Sequence, residues 1–283
     1  MTDDAFDLSA YLVRIGYSGP REPSLATLRA LVAAHTAAIP FENIDVFLRC
    51  GVRIDVPSVQ RKLVAEKRGG YCFEQSTLFE AALAALGFAP IPLIARVMRG
   101  VPEGITTPRS HKLLLVNLTE VPFLADVGFG NLSPTAPIAL RSDEEQPTSH
   151  ETYRLVRAGP EFVMQAGLGG RWESMYRFAL EPAPHIDYEV GNWFTSTYPG
   201  SPFYGNLIVA LARPGDRITL YNRRLTVRDP VGRTSRRVLS GIDDYGSALR
   251  GEFGLALDDN TLAAIADAMA TRSGDEEVHR AFL

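Results

Sequence analysis

The sequence predicts an α+β protein of three parts, and three changes of texture predict it. Up to about residue 86, apolar residues recur at helical spacing between capping and breaking residues. After Gly87, short apolar runs follow one another, split by Gly and Pro and with no helical stretch between them. That is the pattern of an antiparallel sheet or barrel. From about Asp187 a connecting segment leads to hairpin strands and two closing helical stretches. The divisions are therefore 1–86, 87–190 and 191–283. A chain of 283 residues is longer than one compact core usually fills, which agrees with several subdomains.

In chain order, Asp7 can cap a short helix whose inner face is Leu8, Tyr11, Leu12 and Ile15, ended by Gly16. Ser24 can cap a second, with Leu25, Leu28, Leu31, Val32 and His35 on one side; on that apolar face His35 reads as a satisfied core histidine rather than a base. Pro40 stops this helix, because the residue before proline is pushed out of the helical region. Ser58 can cap a third helix carrying Val59, Leu63 and Val64. Gly69 and Gly70 then supply a tight turn, and a further helix starts at or just after Cys72. Phe79, Leu83 and Leu86 lie at i, i+4 and i+7 of it, and Gly87 is its stop.

Strands are expected over residues 91–98, 112–116, 123–127, 152–156, 161–165 and 172–178, with 142–146 as a solvated loop. Residues 192–199 and 201–204 read as a connecting segment. Strands over 207–212, 217–220 and 224–227 follow, the last two joined as a hairpin around Tyr221-Asn222. Helices near 243–250 and 261–269 close the pattern, and the polar tail 272–283 is expected to be frayed or loosely docked.

Apolar residues make up 46% of the chain and charged residues 22%, ordinary values for a soluble globular protein. A net charge of −4 leaves no electrostatic footprint for nucleic acid. With Cys50 and Cys72 as the two cysteines, a disulfide framework is implausible in a chain this long, a cysteine zinc site would need histidine help, and no metal is expected. The acidic start of the chain lacks the apolar stretch of a signal peptide, and nowhere do about 18 apolar residues run together to span a membrane. A cytoplasmic location, where a thiol stays reduced, is the expectation.

The chemistry centres on Cys72. At a helix start the macrodipole and the unpaired N–H groups favour an anion, here a thiolate. A lone cysteine is more often a buried structural residue, but the Gly-Gly turn and the helix start favour the reactive reading. A nucleophile needs a base, and the base needs an orienting group. His111 opens the strand 112–116, and Asp126 ends the next, 123–127. Antiparallel neighbours joined by 117–122 would bring the head of one beside the tail of the other. An aspartate at the end of an apolar strand also asks for a partner, although Asp126 can be read simply as a turn residue before Gly128. His150, in a loop, and His279, in the charged tail, read as surface histidines, and His185 is undecided. Glu74 points elsewhere on the helix and is a poor base for Cys72.

The sequence Arg68-Gly69-Gly70-Tyr71-Cys72-Phe73-Glu74-Gln75, preceded by Ile39-Pro40-Phe41-Glu42-Asn43, resembles the arylamine N-acetyltransferases. Ser110-His111-Lys112-Leu113-Leu114-Leu115-Val116 and Asp126-Val127-Gly128-Phe129-Gly130 are similar to that family's other two signatures, and fainter likeness extends from about Asp7 to Phe203. Ser76 departs from the family, which usually has Asn there. The resemblance implies an N-terminal helical bundle, an antiparallel β-barrel domain and a C-terminal α/β domain around a cysteine-protease-like core. It implies acetyl-CoA as co-substrate and a small aromatic amine, hydrazine or arylhydroxylamine as acceptor, with an acetyl-Cys72 intermediate in a ping-pong reaction. By the same carry-over Cys72 is the nucleophile, His111 the base and Asp126 its orienting acid. Phe129 and Phe203 line the acceptor pocket, although both also read as core packing. Gly128 and Gly130 border the incoming coenzyme, and Arg68 with Glu42 forms a buried structural ion pair. A homodimer is left open.

Three other readings stand beside this one. A Cys-His-Asp hydrolase or transglutaminase-like enzyme would use the same triad. The 39 residues from Cys72 to His111 are far fewer than the roughly 130–150 of papain-like proteases, however. An amide synthase releasing a polyketide chain from a carrier protein lies within the same resemblance. A binding module in which the three residues merely pack is the non-catalytic alternative.

Overall fold

The computed structural model describes residues 6–102, 104–118 and 120–271. Helices α1 (Leu8–Arg14), α2 (Leu25–Ala38), α3 (Ile44–Phe47), α4 (Val56–Gln60) and α5 (Cys72–Ala85) form the first third, with the two-residue strand β1 (Phe41–Glu42) between α2 and α3. Asp7 and Ser24 cap α1 and α2 by accepting from the backbone N–H groups of Ala10 and Thr27. The cap of α4 is Asp55 rather than Ser58. The Ser58 N–H donates to the Asp55 carboxylate at 3.0 Å, and Pro57 in the first turn is already shaped for a helix start. A π-helical turn, Arg61–Ala65, continues α4. Leu12, Leu28, Leu31, Leu63, Phe79 and Leu83 interlock as the core between these helices.

The expected histidine at the centre of that core is fully bonded. Gln75 Nε2 donates to the Pro40 carbonyl at 2.8 Å, which fixes its amide so that Oε1 accepts from His35 Nε2 at 2.7 Å. His35 Nδ1 must then accept from the Tyr11 hydroxyl, 2.9 Å away. Burial holds His35 neutral, with its pKa lowered to about 4.

Eight antiparallel strands follow: β2 (Pro90–Val97), β3 (Arg109–Val116), β4 (Phe123–Ala125), β5 (Ile138–Ala139), β6 (Gln146–Pro147), β7 (Thr152–Ala158), β8 (Glu161–Leu168) and β9 (Arg171–Phe178). Their order is β5-β4-β3-β2-β9-β8-β7-β6. The sheet curls into a nearly closed barrel. The side chain of Gln146 on one border strand bonds both the N–H (2.7 Å) and the carbonyl (2.9 Å) of Ala139 on the other. Gln146 is therefore a seam residue, not part of a solvated loop. β3 is buried on both faces: Leu113 and Leu115 point into the barrel, while Leu114 and Val116 join the helical core. That explains its unbroken apolar run.

Beyond the barrel lie α6 (His185–Thr197), α7 (Pro202–Gly205), β10 (Ile208–Arg213), β11 (Asp216–Tyr221), β12 (Arg224–Arg228), β13 (Thr234–Val238), α8 (Ile242–Gly246) and α9 (Asp259–Ala270). The stretch read as a connecting segment is largely the helix α6, and β13 adds a strand to the expected hairpin. This second sheet has the order β1-β10-β11-β12-β13 and is antiparallel throughout, so its first strand comes from the N-terminal third. Ile218, Leu220 and Leu225 face Leu249, Leu262 and Ile265 of the closing helices. The opposite face carries Arg217, whose guanidinium bonds Glu151 at 2.7 Å and the Ser133 carbonyl at 2.7 Å. That buried pair ties the second sheet to the barrel. The frayed tail and His279 lie outside the described residues. Among the described residues no helix is long and apolar enough to cross a membrane.

Candidate active site

The turn that presents Cys72 is set by steric room and by a buried ion cluster. A β-carbon on residue 69 would lie 2.2 Å from the Pro40 carbonyl oxygen, and one on residue 70 would lie 2.8 Å from the Glu74 side chain, so glycine is needed at both by close approach. Arg68 reaches Glu42 at 2.8 Å and Asp45 at 2.9 Å, while Lys62 reaches Asp45 at 2.7 Å and Glu74 at 2.6 Å. Glu74 also accepts the Tyr71 N–H at 3.0 Å and so pins the first turn of α5. Its carboxyl is raised to about 7 by burial, against the pull of Lys62. This is a structural post for the helix start, turned away from the thiol.

Cys72 is the first residue of α5, only 4% exposed, and its Sγ lies 3.5 Å from the Ser110 carbonyl oxygen. His111 sits near the start of β3, and Asp126 directly follows β4, the neighbouring strand. His111 Nε2 and Asp126 Oδ2 are 2.8 Å apart, and both residues are buried. The second carboxylate oxygen accepts the Gly128 N–H at 3.0 Å, which fixes the plane of the acid. Burial opposes a charged His111, but the charge and hydrogen bond of Asp126, with a smaller contribution from Cys72, outweigh it and push the pKa up to about 10. The imidazolium is thus the resting form at neutral pH. Lys112, the next residue, projects to the other side of the strand and bonds Glu80 at 2.7 Å.

Cys72 and His111 open onto one cavity of about 300 Å³, whose wall also includes Gly128, Phe129 and Phe203. Asp126 stands behind His111. Gly130 is not on the wall; with φ at +87° it packs against the ring of Phe41. Phe129 meets His111 edge-on at 5.2 Å, and the buried Tyr176 lies 4.9 Å from His111 and 5.1 Å from Phe129. Asn43 holds the Phe203 side of the cavity in place, donating to the carbonyls of Phe203 and Asn206 at 2.9 and 2.7 Å. Reading the sequence missed Phe41, Arg99, Phe194 and Thr195 on this wall, and Tyr176 behind it. Phe194 and Thr195 were hidden because α6 was not recognised, and a helical period through Tyr188, Asn192 and Thr195 is the signal that could have found them.

The competing histidines are placed elsewhere. His150 Nε2 donates to the carbonyls of Arg213 and Asp216 at 3.0 and 3.1 Å, and His185 is exposed at the start of α6. Cys50 is exposed on the surface. Among the described residues no group of three or more His, Cys, Asp or Glu is arranged to hold a metal ion.

A thiol at a helix start, a protonated imidazole and a buried carboxylate around a largely apolar cavity can support acyl transfer through sulfur. A family model described as N-acetyltransferase matches residues 24–262. The arylamine N-acetyltransferase of Escherichia coli (strain K12) is 40% identical over 253 residues, which cover 89% of this chain and 90% of that protein. That of Mycolicibacterium smegmatis is 39% identical over 259 residues, covering 90% and 94%. The structure of Mycobacterium marinum arylamine N-acetyltransferase in complex with CoA aligns at a TM-score of 0.88 and 36% identity, covering 93% of this chain and 99% of that one.

Proposed function

This chain belongs to the arylamine N-acetyltransferase family, and on that premise we propose that Cys72 carries the acetyl group between two substrates. The enzyme is an acyltransferase that takes the acetyl group of acetyl-CoA to the nitrogen of an arylamine. In the first half-reaction the Cys72 thiolate adds to the thioester carbonyl. The tetrahedral intermediate expels the sulfur of CoA, which takes a proton from His111, and acetyl-Cys72 remains. In the second half-reaction the acceptor nitrogen adds to acetyl-Cys72, now neutral His111 accepts its proton, and the C–S bond breaks to return the thiolate. Asp126 orients His111 and stabilises the imidazolium throughout. The Cys72 N–H, at the start of α5, would donate to the developing oxyanion.

Phe129 and Phe203 would hold the aromatic ring of the acceptor, which can be an arylamine, a hydrazine or an arylhydroxylamine. Gly128 and Gly130 would leave room for the arm of the coenzyme. The helix-borne cysteine opposite a strand-borne histidine would form a cysteine-protease-like core at the seam between domains 1–86 and 87–190. A reducing cytoplasm would keep the thiol free.

The observation that carries this reading is the 2.8 Å His111–Asp126 pair, whose histidine lines the same cavity as Cys72. Intact-mass measurement after mixing with acetyl-CoA tests it. An adduct of about 42 Da on the wild type, absent from Cys72→Ser and discharged by an aniline or a hydrazine, is the expected result for a covalent thioester intermediate. Turnover without acetyl on Cys72 would refute it.

A further inference from the structure

Three consecutive hydroxyl residues, Thr195, Ser196 and Thr197, lie at the end of α6. A helix offers such side chains an acceptor about one turn back, and two of them take it. Ser196 Oγ donates to the Asn192 carbonyl at 2.7 Å, and Thr197 Oγ1 to the Trp193 carbonyl at 2.6 Å. Thr195 does not. Its residue is 3% exposed, and among the described residues its Oγ1 has no hydrogen-bond partner. The same residue lines the cavity that holds Cys72 and His111. Two other hydroxyls on that wall are engaged: Thr107 donates to the Val97 carbonyl at 2.7 Å, and Ser201 accepts the Phe203 N–H at 3.3 Å.

One turn earlier on α6, a β-carbon on Gly191 would lie 2.8 Å from the Phe73 ring and 3.2 Å from the Arg109 carbonyl. Phe73 follows the cysteine and Arg109 lies two residues before the histidine, so Gly191 packs against the two segments that carry them. Phe194, beside Thr195, joins Phe41, Phe129 and Phe203 in giving that cavity an aromatic wall. A ring seated there is held by apolar contact, and a turn of the Thr195 side chain about its Cα–Cβ bond would bring its hydroxyl to a polar group the ring carries.

We propose that Thr195 is a specificity-determining residue whose hydroxyl binds a second polar group on the acceptor: a ring hydroxyl, alkoxy or carbonyl besides the reacting nitrogen. This deepens the acetyltransferase reading of the site and rests on it. A site with a buried hydroxyl to satisfy discriminates against a ligand that lacks the matching group, whereas apolar walls discriminate weakly.

The test compares matched acceptors, 3- and 4-hydroxyaniline against 3- and 4-methylaniline, in wild type, Thr195→Val and Thr195→Ser. The ratio of kcat/KM for the hydroxy over the methyl acceptor cancels any loss of folded enzyme. For at least one pair it should fall about fivefold to tenfold in Thr195→Val, the scale of one neutral hydrogen bond, and recover in Thr195→Ser. Acetylation of Cys72 by acetyl-CoA is measured separately in each variant, which keeps a loss in that step apart from a change in acceptor choice. A ratio within twofold of wild type for both pairs, or a loss confined to the acetylation step, overturns the role of Thr195. Failure of the wild type itself to take up acetyl would instead overturn the reading of the site.

Discussion

The backbone of Gly128 runs so close to Cys72 that a β-carbon on residue 128 would lie 2.9 Å from the Cys72 Cα and 3.2 Å from its carbonyl oxygen. Ser76 Oγ, the residue that departs from the family pattern, would be 3.3 Å away on the same side. Backbone atoms cannot yield as a side-chain tip can, so Gly128→Ala must displace either the start of α5 or the segment that holds Asp126. A loss of at least tenfold in kcat/KM is expected, with destabilisation of about 1–3 kcal/mol from overpacking. Steady-state kinetics with thermal unfolding checks both, and wild-type activity would show that the two segments move apart freely.

Asp126→Asn should fold, because an amide fits the same space and can still accept the Gly128 N–H. It cannot hold an imidazolium. The rate is expected to fall by roughly 10³–10⁴, as when a triad acid is replaced by its amide. Alkylation of Cys72 at neutral pH should slow in parallel, and a variant within tenfold of wild type would remove Asp126 from the machinery.

Stability should carry the mark of His111 on the alkaline side. Its folded pKa is raised to about 10, above the roughly 6.5 of an unfolded histidine. The contribution of the pair is therefore complete below about pH 6.5 and is lost as pH rises through 10. With the thiol removed by Cys72→Ala, so that the imidazole alone titrates, the difference in unfolding free energy between that variant and Cys72→Ala/His111→Gln should shrink by about 1.4 kcal/mol per pH unit within that window. Urea titrations at pH 7, 8 and 9 measure it, and a flat difference would contradict the assigned charge state.

Glu151 joins Arg217 and Arg228 where the barrel meets the second sheet, and it holds the Tyr153 hydroxyl at 3.1 Å. Removing Arg217 leaves the buried Glu151 carboxylate to the half-buried Arg228 alone and strips the Ser133 carbonyl of its donor. Arg217→Met should thus cost about 3–5 kcal/mol, while the double change Arg217→Met with Glu151→Leu should recover part of the loss. Chemical denaturation distinguishes this from a surface pair, whose removal would cost about 1 kcal/mol or less.

The parts that could be read from the sequence are those where local pattern and burial agree. Asp7, Ser24 and the Gly69-Gly70 turn announce helix starts because their side chains, or the lack of one, meet the backbone directly. The His111–Asp126 approach was legible because the two residues sit on strands that are neighbours in sequence and in space. α6 was not. Its β-branched and aromatic residues and its glycine are weak helix formers, and its buried stripe of Tyr188, Gly191, Asn192 and Thr195 is largely small or polar. β13 escaped for a related reason: all five residues are exposed, so no alternation marks it. Asp55 outcompeted Ser58 because Pro57 fixes the first turn one residue ahead. The join of Cys72 to the other two residues depends on α5 packing against β3, which no local pattern encodes.

Phe41 and Glu42 form the border rung of a sheet whose other rungs all come from beyond residue 207. A fragment starting after the helical third would leave the backbone groups of β10 around Ile208–Ala210 uncovered along one side. Such a bare flank recruits strands from other molecules, so the carboxyl-terminal half made alone should clump unless a peptide spanning Phe41–Glu42 is supplied in trans.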